Sequence, residues 1–73
     1  MDLKEIVATN LRRIRHAKKM TQEELADRVS LSARYIGSVE RGSASPTVTV
    51  LGKLANALGV EASVLVTKAK RAG

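Results

Sequence analysis

The chain has no cysteine, phenylalanine or tryptophan, and only one tyrosine, one histidine and one proline. Without cysteine, neither a disulfide scaffold nor a thiolate metal site can form, which suits a reducing compartment; a cytoplasmic protein is the expectation. His16 alone cannot make a metal centre, and no cofactor or small-molecule ligand is indicated. The carboxylates fall where first turns of helices want negative charge, so catalysis finds no support and the chain reads as a non-enzyme. No apolar run is long enough to span a membrane, and Met1 leads straight into an amphipathic, charged segment rather than a signal peptide. With no Phe or Trp, burial at about 25 cal/mol per Å² must come from Leu, Val, Ile, Ala and Met, a set that suits closely packed helices.

Seventy-three residues make one domain, 1–73, because so short a chain cannot divide its apolar surface between two cores. Thirteen Lys and Arg against seven Asp and Glu give a net charge of +6, the footprint of a polyanion binder. Charge alone does not separate nucleic acid from an anionic membrane, or either from plain solubility.

The apolar residues recur at three and four, so the fold class is all-α. A first helix is expected from Leu3 to about Lys18, capped by Asp2 with Glu5 completing a capping box, and burying Leu3, Ile6, Val7, Leu11 and Ile14. Thr21 and Glu24 repeat the cap spacing before a second helix with Leu25, Ala26 and Val29 inward. Ser32 caps a third that runs to Glu40, with Gly42 at the left-handed terminator position. Pro46 and Thr47 open a fourth, in which Val48, Leu51, Leu54, Ala55 and Leu58 share a face before Gly59 stops it. A short fifth helix around Ala62 to Lys68 precedes a basic tail, 68–73, containing Lys68, Lys70 and Arg71.

Two short helices joined by three or four residues are the helix-turn-helix arrangement, here residues 22–41. Ala26 is small where the two helices cross, and Ile36 and Val39 anchor the second helix to the core. These residues, together with LRRIR, MTQEELADRVSLS, YIGSVERG, SPT and LANALGV, resemble the phage-repressor (Cro/XRE, lambda-repressor-like) helix-turn-helix family over most of the chain. The length and the ERG segment look most like the small controller proteins of restriction-modification systems. The resemblance implies a compact five-helix domain whose third helix enters the major groove of duplex DNA, normally as a two-fold homodimer. It also implies transcriptional regulation from a pseudo-palindromic operator. One departure is Ser30, at a turn position the family usually fills with Gly because positive φ is needed there.

With Ile36 and Val39 inward, a step of about 100° per residue puts Arg34, Gly37, Ser38 and Arg41 on the outer face, with Ala33 and Tyr35 at its margins. Arg34 is the candidate for a bidentate contact to guanine. Ser38 and Ser32 can donate to bases or phosphates, Ser32 being equally a cap; Ala33 can meet a thymine methyl, and Tyr35 either covers the core edge or touches DNA. Gly37 either allows close backbone approach to the groove or is simply tolerated. Phosphate contacts are expected from Thr21 and Gln22 at the start of the second helix, the glutamine by resemblance, and from Arg41, Ser43, Ser45 and Thr47. Thr21 and Thr47 are also explicable as caps. Arg15 and Glu40 match a family ion pair that ties the first helix to the end of the third.

Leu58, Val60, Val64, Leu65 and Val66 are the candidate dimer surface, unless all of them face inward. The main rival is a protein-interaction module, an antiactivator or antitoxin component that keeps this fold without binding DNA. Such a module calls for exposed apolar residues in place of Arg34, Ser38 and Arg41. A membrane-surface helix is weaker still, because the apolar stripe of the first helix is needed for the core.

Overall fold

The structure, a computed structural model, describes residues 2–69. Met1 and the part of the expected basic tail that includes Lys70 and Arg71 lie outside the described residues. Five helices and no strand occur among those residues: α1 (Leu3–Ala17), α2 (Gln22–Val29), α3 (Ala33–Glu40), α4 (Val48–Leu58) and α5 (Ala62–Val66). α1 packs on α3 and α5, α2 on α3 and α4, and α4 on α5. No helix among the described residues is long and apolar enough to cross a membrane.

The four expected caps are all formed. Asp2, Thr21, Ser32 and Thr47 accept from the backbone N–H three residues on, at 2.9, 3.0, 3.0 and 3.1 Å. Asp2 with Glu5 and Thr21 with Glu24 close reciprocal capping boxes. Thr21, through its backbone N–H and its hydroxyl, also holds the Glu24 carboxyl below its ordinary value.

The first four helices end alike. A left-handed residue follows each, and the next N–H reaches back to the carbonyl five residues before it: Met20 to Arg15, Leu31 to Ala26, Ser43 to Ser38 and Val60 to Ala55. Gly42 (φ 75°) and Gly59 (φ 70°) fill two of these left-handed positions, as expected. Lys19 (φ 55°) and Ser30 (φ 57°) fill the other two, so the turn that should favour glycine is made by serine, without its benefit.

Each helix sends at least one side chain to the centre of the core. Leu11, Leu25, Ile36, Val39, Leu54 and Leu65 are fully buried, and Val7, Ile14, Ala26, Val29, Ala55 and Leu58 surround them. Of the other expected core residues, Leu51 is half-buried against this cluster, Ile6 is half-buried outside it, and two are left uncovered: Leu3 is 57% exposed and Val48 is 86% exposed. Both are the first residue of their helix, where the register of the stripe continues but no neighbouring helix covers the turn. α1 ends at Ala17 and α5 at Val66, short of the Lys18 and Lys68 limits read from sequence. At α5 the chain turns extended at Thr67, whose hydroxyl donates back to the Ser63 carbonyl at 2.6 Å.

Candidate nucleic-acid interface

α3 has the two faces its periodicity calls for. Ile36 and Val39 are fully buried on one side, and Arg34 is exposed and Ser38 half-exposed on the other. Ala33 and Tyr35 are half-buried, leaning on the core with part of each side chain still open. The Ser32 hydroxyl is engaged as the cap, yet a hydroxyl that accepts an N–H keeps its own proton to donate, and the same holds for Thr21 and Thr47.

Gly37 requires a correction. Periodicity put it on the outer face as a bare spot, but it is buried. The side chains of Gln22 and Arg41 roof it: a Cβ placed there would lie 3.2 Å from Arg41 Nη1 and 3.6 Å from both polar atoms of the Gln22 amide. A 100° step locates a position on its own helix. It says nothing of long side chains that fold across from the next turn or a neighbouring helix. Arg41 runs back along α3 and its Nη2 donates to Ser38 Oγ at 3.2 Å, so these two expected DNA contacts already form one unit.

Glu40 organises the inner side of this cluster. Its carboxylate takes a two-pronged contact from Arg15, Nε to Oε2 at 2.6 Å and Nη2 to Oε1 at 2.9 Å, while Gln22 Nε2 donates to Oε1 at 3.1 Å. Arg15 also donates through Nη1 to the Met20 carbonyl at 2.7 Å, and Arg12 Nη1 reaches the Glu40 carbonyl at 3.4 Å. The ends of α1 and α3 and the start of α2 are thereby joined. Burial pushes the Glu40 carboxyl upward, but the hydrogen bonds from Arg15 and Gln22 and the arginine charge outweigh it and hold the group below its ordinary 4.5. The hydrogen bond to Glu40 correspondingly raises Arg15, against the opposing effect of burial.

The remaining phosphate candidates, Ser43, Ser45 and Thr47, are exposed along the α3–α4 loop. Backbone bonds from Ser43 N and Ala44 N to the Ser38 carbonyl, at 2.9 and 3.3 Å, fold the start of that loop onto the end of α3. The candidate dimer surface is smaller than expected. Leu58 and Leu65 belong to the core, 2% and 0% exposed, since α4 and α5 pack together around them. Val60 and Val66 are half-buried and Val64 is 38% exposed.

Asn10 escaped the sequence reading. It is buried, and its Nδ2 lies 3.1, 3.0 and 2.9 Å from the carbonyls of Val64, Leu65 and Thr67, pinning α5 to α1. Its signal was its register: it sits three residues after Val7 and four before Ile14, on the buried stripe.

A helix-turn-helix family profile matches residues 11–65. The chain is 46% identical over 67 residues to an HTH-type transcriptional regulator of Sinorhizobium fredii, covering 92% of this chain and 87% of that one. It is 43% identical over 68 residues to the control protein C.SmaI of Serratia marcescens, covering 93% and 81%. Among solved structures, the restriction-modification controller protein C.AhdI of Aeromonas hydrophila superposes with a TM-score of 0.82 at 37% identity, over 85% of this chain and 94% of that one. A buried anchor side on α3, a polar outer side and this likeness along nearly the whole chain agree: the protein belongs to the Cro/XRE-type helix-turn-helix family of DNA-binding transcriptional regulators.

Proposed function

We propose that the protein binds a pseudo-palindromic operator in duplex DNA sequence-specifically, as a homodimer, with one α3 in each of two successive major grooves. The observation that carries this reading is the outward stance of Arg34 and Ser38, opposite the fully buried Ile36 and Val39. In it, Arg34 and Ser38 read base edges, with Ser32, Ala33 and Tyr35 at the margins of the groove. Thr21, Gln22, Arg41, Ser43, Ser45 and Thr47 hold the phosphates on either side. Likeness to proteins named as controllers favours a restriction-modification controller role.

Two copies are needed because a single five-helix unit neutralises few phosphates. Val60, Val64 and Val66 are the apolar residues left to join them. A repurposed protein-binding module is disfavoured: the large exposed hydrophobics among the described residues are Leu3, Val48 and Val64, and none is on α3.

Selecting bound duplexes from a random pool tests the reading, since it yields operator, half-site spacing and stoichiometry together. On the selected duplex Arg34→Ala should relax preference at particular base pairs, at about 1–3 kcal/mol each, whereas Gln22→Ala should weaken all sequences alike. A pool that returns no preferred sequence, or uniform loss from both variants, refutes the assignment.

A further inference from the structure

Gly37 stands at the centre of the outer face of the helix offered to DNA, yet it is covered by protein. Arg41 Nη1 and both polar atoms of the Gln22 amide come within 4 Å of the point where its Cβ would be. Neither side chain is loosely draped there. Gln22 is tied from behind by Nε2 to Glu40 Oε1 at 3.1 Å, and Arg41 is tied along the helix by Nη2 to Ser38 Oγ at 3.2 Å. Glu40 is itself fixed by the Arg15 fork. Two donor groups, one from the start of α2 and one from the residue that ends α3, are therefore gathered over one position that has no side chain. The cationic one, Arg41, is exposed.

We propose that Gly37 is a positioning residue: its missing side chain is the seat that holds the Gln22 amide and the Arg41 guanidinium together as a single two-residue clamp for a DNA phosphate. This rests on the reading of Gln22 and Arg41 as phosphate contacts given above. A guanidinium beside an amide suits a phosphate because both offer N–H donors and neither brings negative charge; the guanidinium adds the attraction that makes such bonds strong. The carboxylate of Glu40 stays behind the amide, where it orients Gln22 and is itself neutralised by Arg15. A methyl group at residue 37 would lie 3.2 Å from Arg41 Nη1, so the guanidinium would have to give by a few tenths of an ångström while its Nη2 is bonded to Ser38. Gly37 thus acts through its neighbours and need not approach the DNA backbone itself.

The test is a double-mutant cycle between residues 37 and 41. Affinity of the full chain for one labelled mixed-sequence duplex of about 30 base pairs is measured at several salt concentrations between about 50 and 200 mM. Gly37→Ala should weaken binding by about fivefold and lower the salt slope by about one, as Arg41→Ala does. Added to Arg41→Ala, it should weaken binding by less than about twofold further. The thermal midpoint of Gly37→Ala should not fall, because alanine is the better helix former, so lost binding cannot be ascribed to unfolding. Equal losses in both backgrounds would mean that DNA approaches Gly37 directly, and unimpaired binding would mean that no seat exists; either result overturns the clamp alone. A native chain that fails to bind duplex, or binds without salt dependence, overturns the phosphate reading itself and the clamp with it.

Discussion

Replacing Glu40 with alanine tests whether a polar tie holds α3 in place. The carboxylate accepts three hydrogen bonds, two from Arg15 and one from Gln22, and its side chain is 4% exposed against 9% for Arg15. Removing it leaves a guanidinium charge enclosed without its counter-ion, a loss of about 3–5 kcal/mol for buried pairs. The lower end applies, about 3 kcal/mol, because Arg15 keeps the Met20 carbonyl and its contact with His16. A domain of this size has a total stability of roughly 4–11 kcal/mol, so the variant stands near the edge of folding. At about 4–8 °C per kcal/mol the thermal midpoint should fall by roughly 12–24 °C. The measurement is urea and thermal denaturation followed by circular dichroism, without DNA and at fixed chain concentration. Replacing both partners, Arg15→Met with Glu40→Leu, should recover most of the loss, since no charge is then stranded. A midpoint within about 4 °C of the native chain for Glu40→Ala, or a double variant no better than the single, would refute the argument.

The other predictions concern the turn, the fifth helix, the dimer and acid. Ser30→Gly should stabilise the fold by about 0.5–1 kcal/mol, because serine holds φ 57° at a cost glycine avoids, partly offset by the greater freedom of unfolded glycine; an unchanged or lower melting midpoint contradicts it. Asn10→Asp should destabilise more than Asn10→Ala, since it sets an acceptor against three carbonyls, and amide exchange in α5 should accelerate in both; equal effects would mean those bonds contribute little. If the proposed dimer forms through this surface, Val64→Asp should shift the chain toward monomer in sedimentation and remove the concentration dependence of its melting, the side chain being 38% exposed; unaltered sedimentation would place any interface elsewhere. Glu40 and Glu24 are both held below the ordinary 4.5, so the stability they confer is complete above that value and is lost as pH falls through their depressed values. Melting should therefore be insensitive to these two groups above about pH 5 and decline in acid, with a shallower decline in Glu40→Gln.

What could be read beforehand was local and periodic. Asp2, Thr21, Ser32 and Thr47 were identifiable as caps because each needs only its own residue type and a partner three positions on. Ile36 and Val39 are identifiable as anchors because they are branched residues at the two helix-turn-helix register positions that face the core. The errors came where a third body decides. Leu3 and Val48 have the right register, but a first turn is buried only if another helix overhangs it, and none does. Leu58 and Leu65 seemed surplus apolar surface until α4 and α5 closed around them. Asn10 is not legible because a polar residue on a buried stripe is intelligible only with its acceptors, which lie more than fifty residues away in α5 and at the residue after it.

The cluster around Glu40 also bears on why so small a core can present α3 accurately. Ile36 and Val39 set how deeply the helix is seated, but aliphatic contacts are non-directional and an eight-residue helix held by two of them could still roll or slide. Directional bonds remove those freedoms. The Arg15 fork fixes the C-terminal end through Glu40, the Ser32 hydroxyl fixes the first turn, and the Ser43 N–H holds the loop that leaves it. The same Glu40 that ends this chain of bonds also points the Gln22 amide. On the proposed reading of Gln22 as a phosphate contact, stability and DNA binding are coupled at one carboxylate, and a variant there should lose binding through both the placement of α3 and the aim of Gln22. Gly37→Ala separates the two, because it leaves every bond of Glu40 in place and disturbs only what lies over the helix.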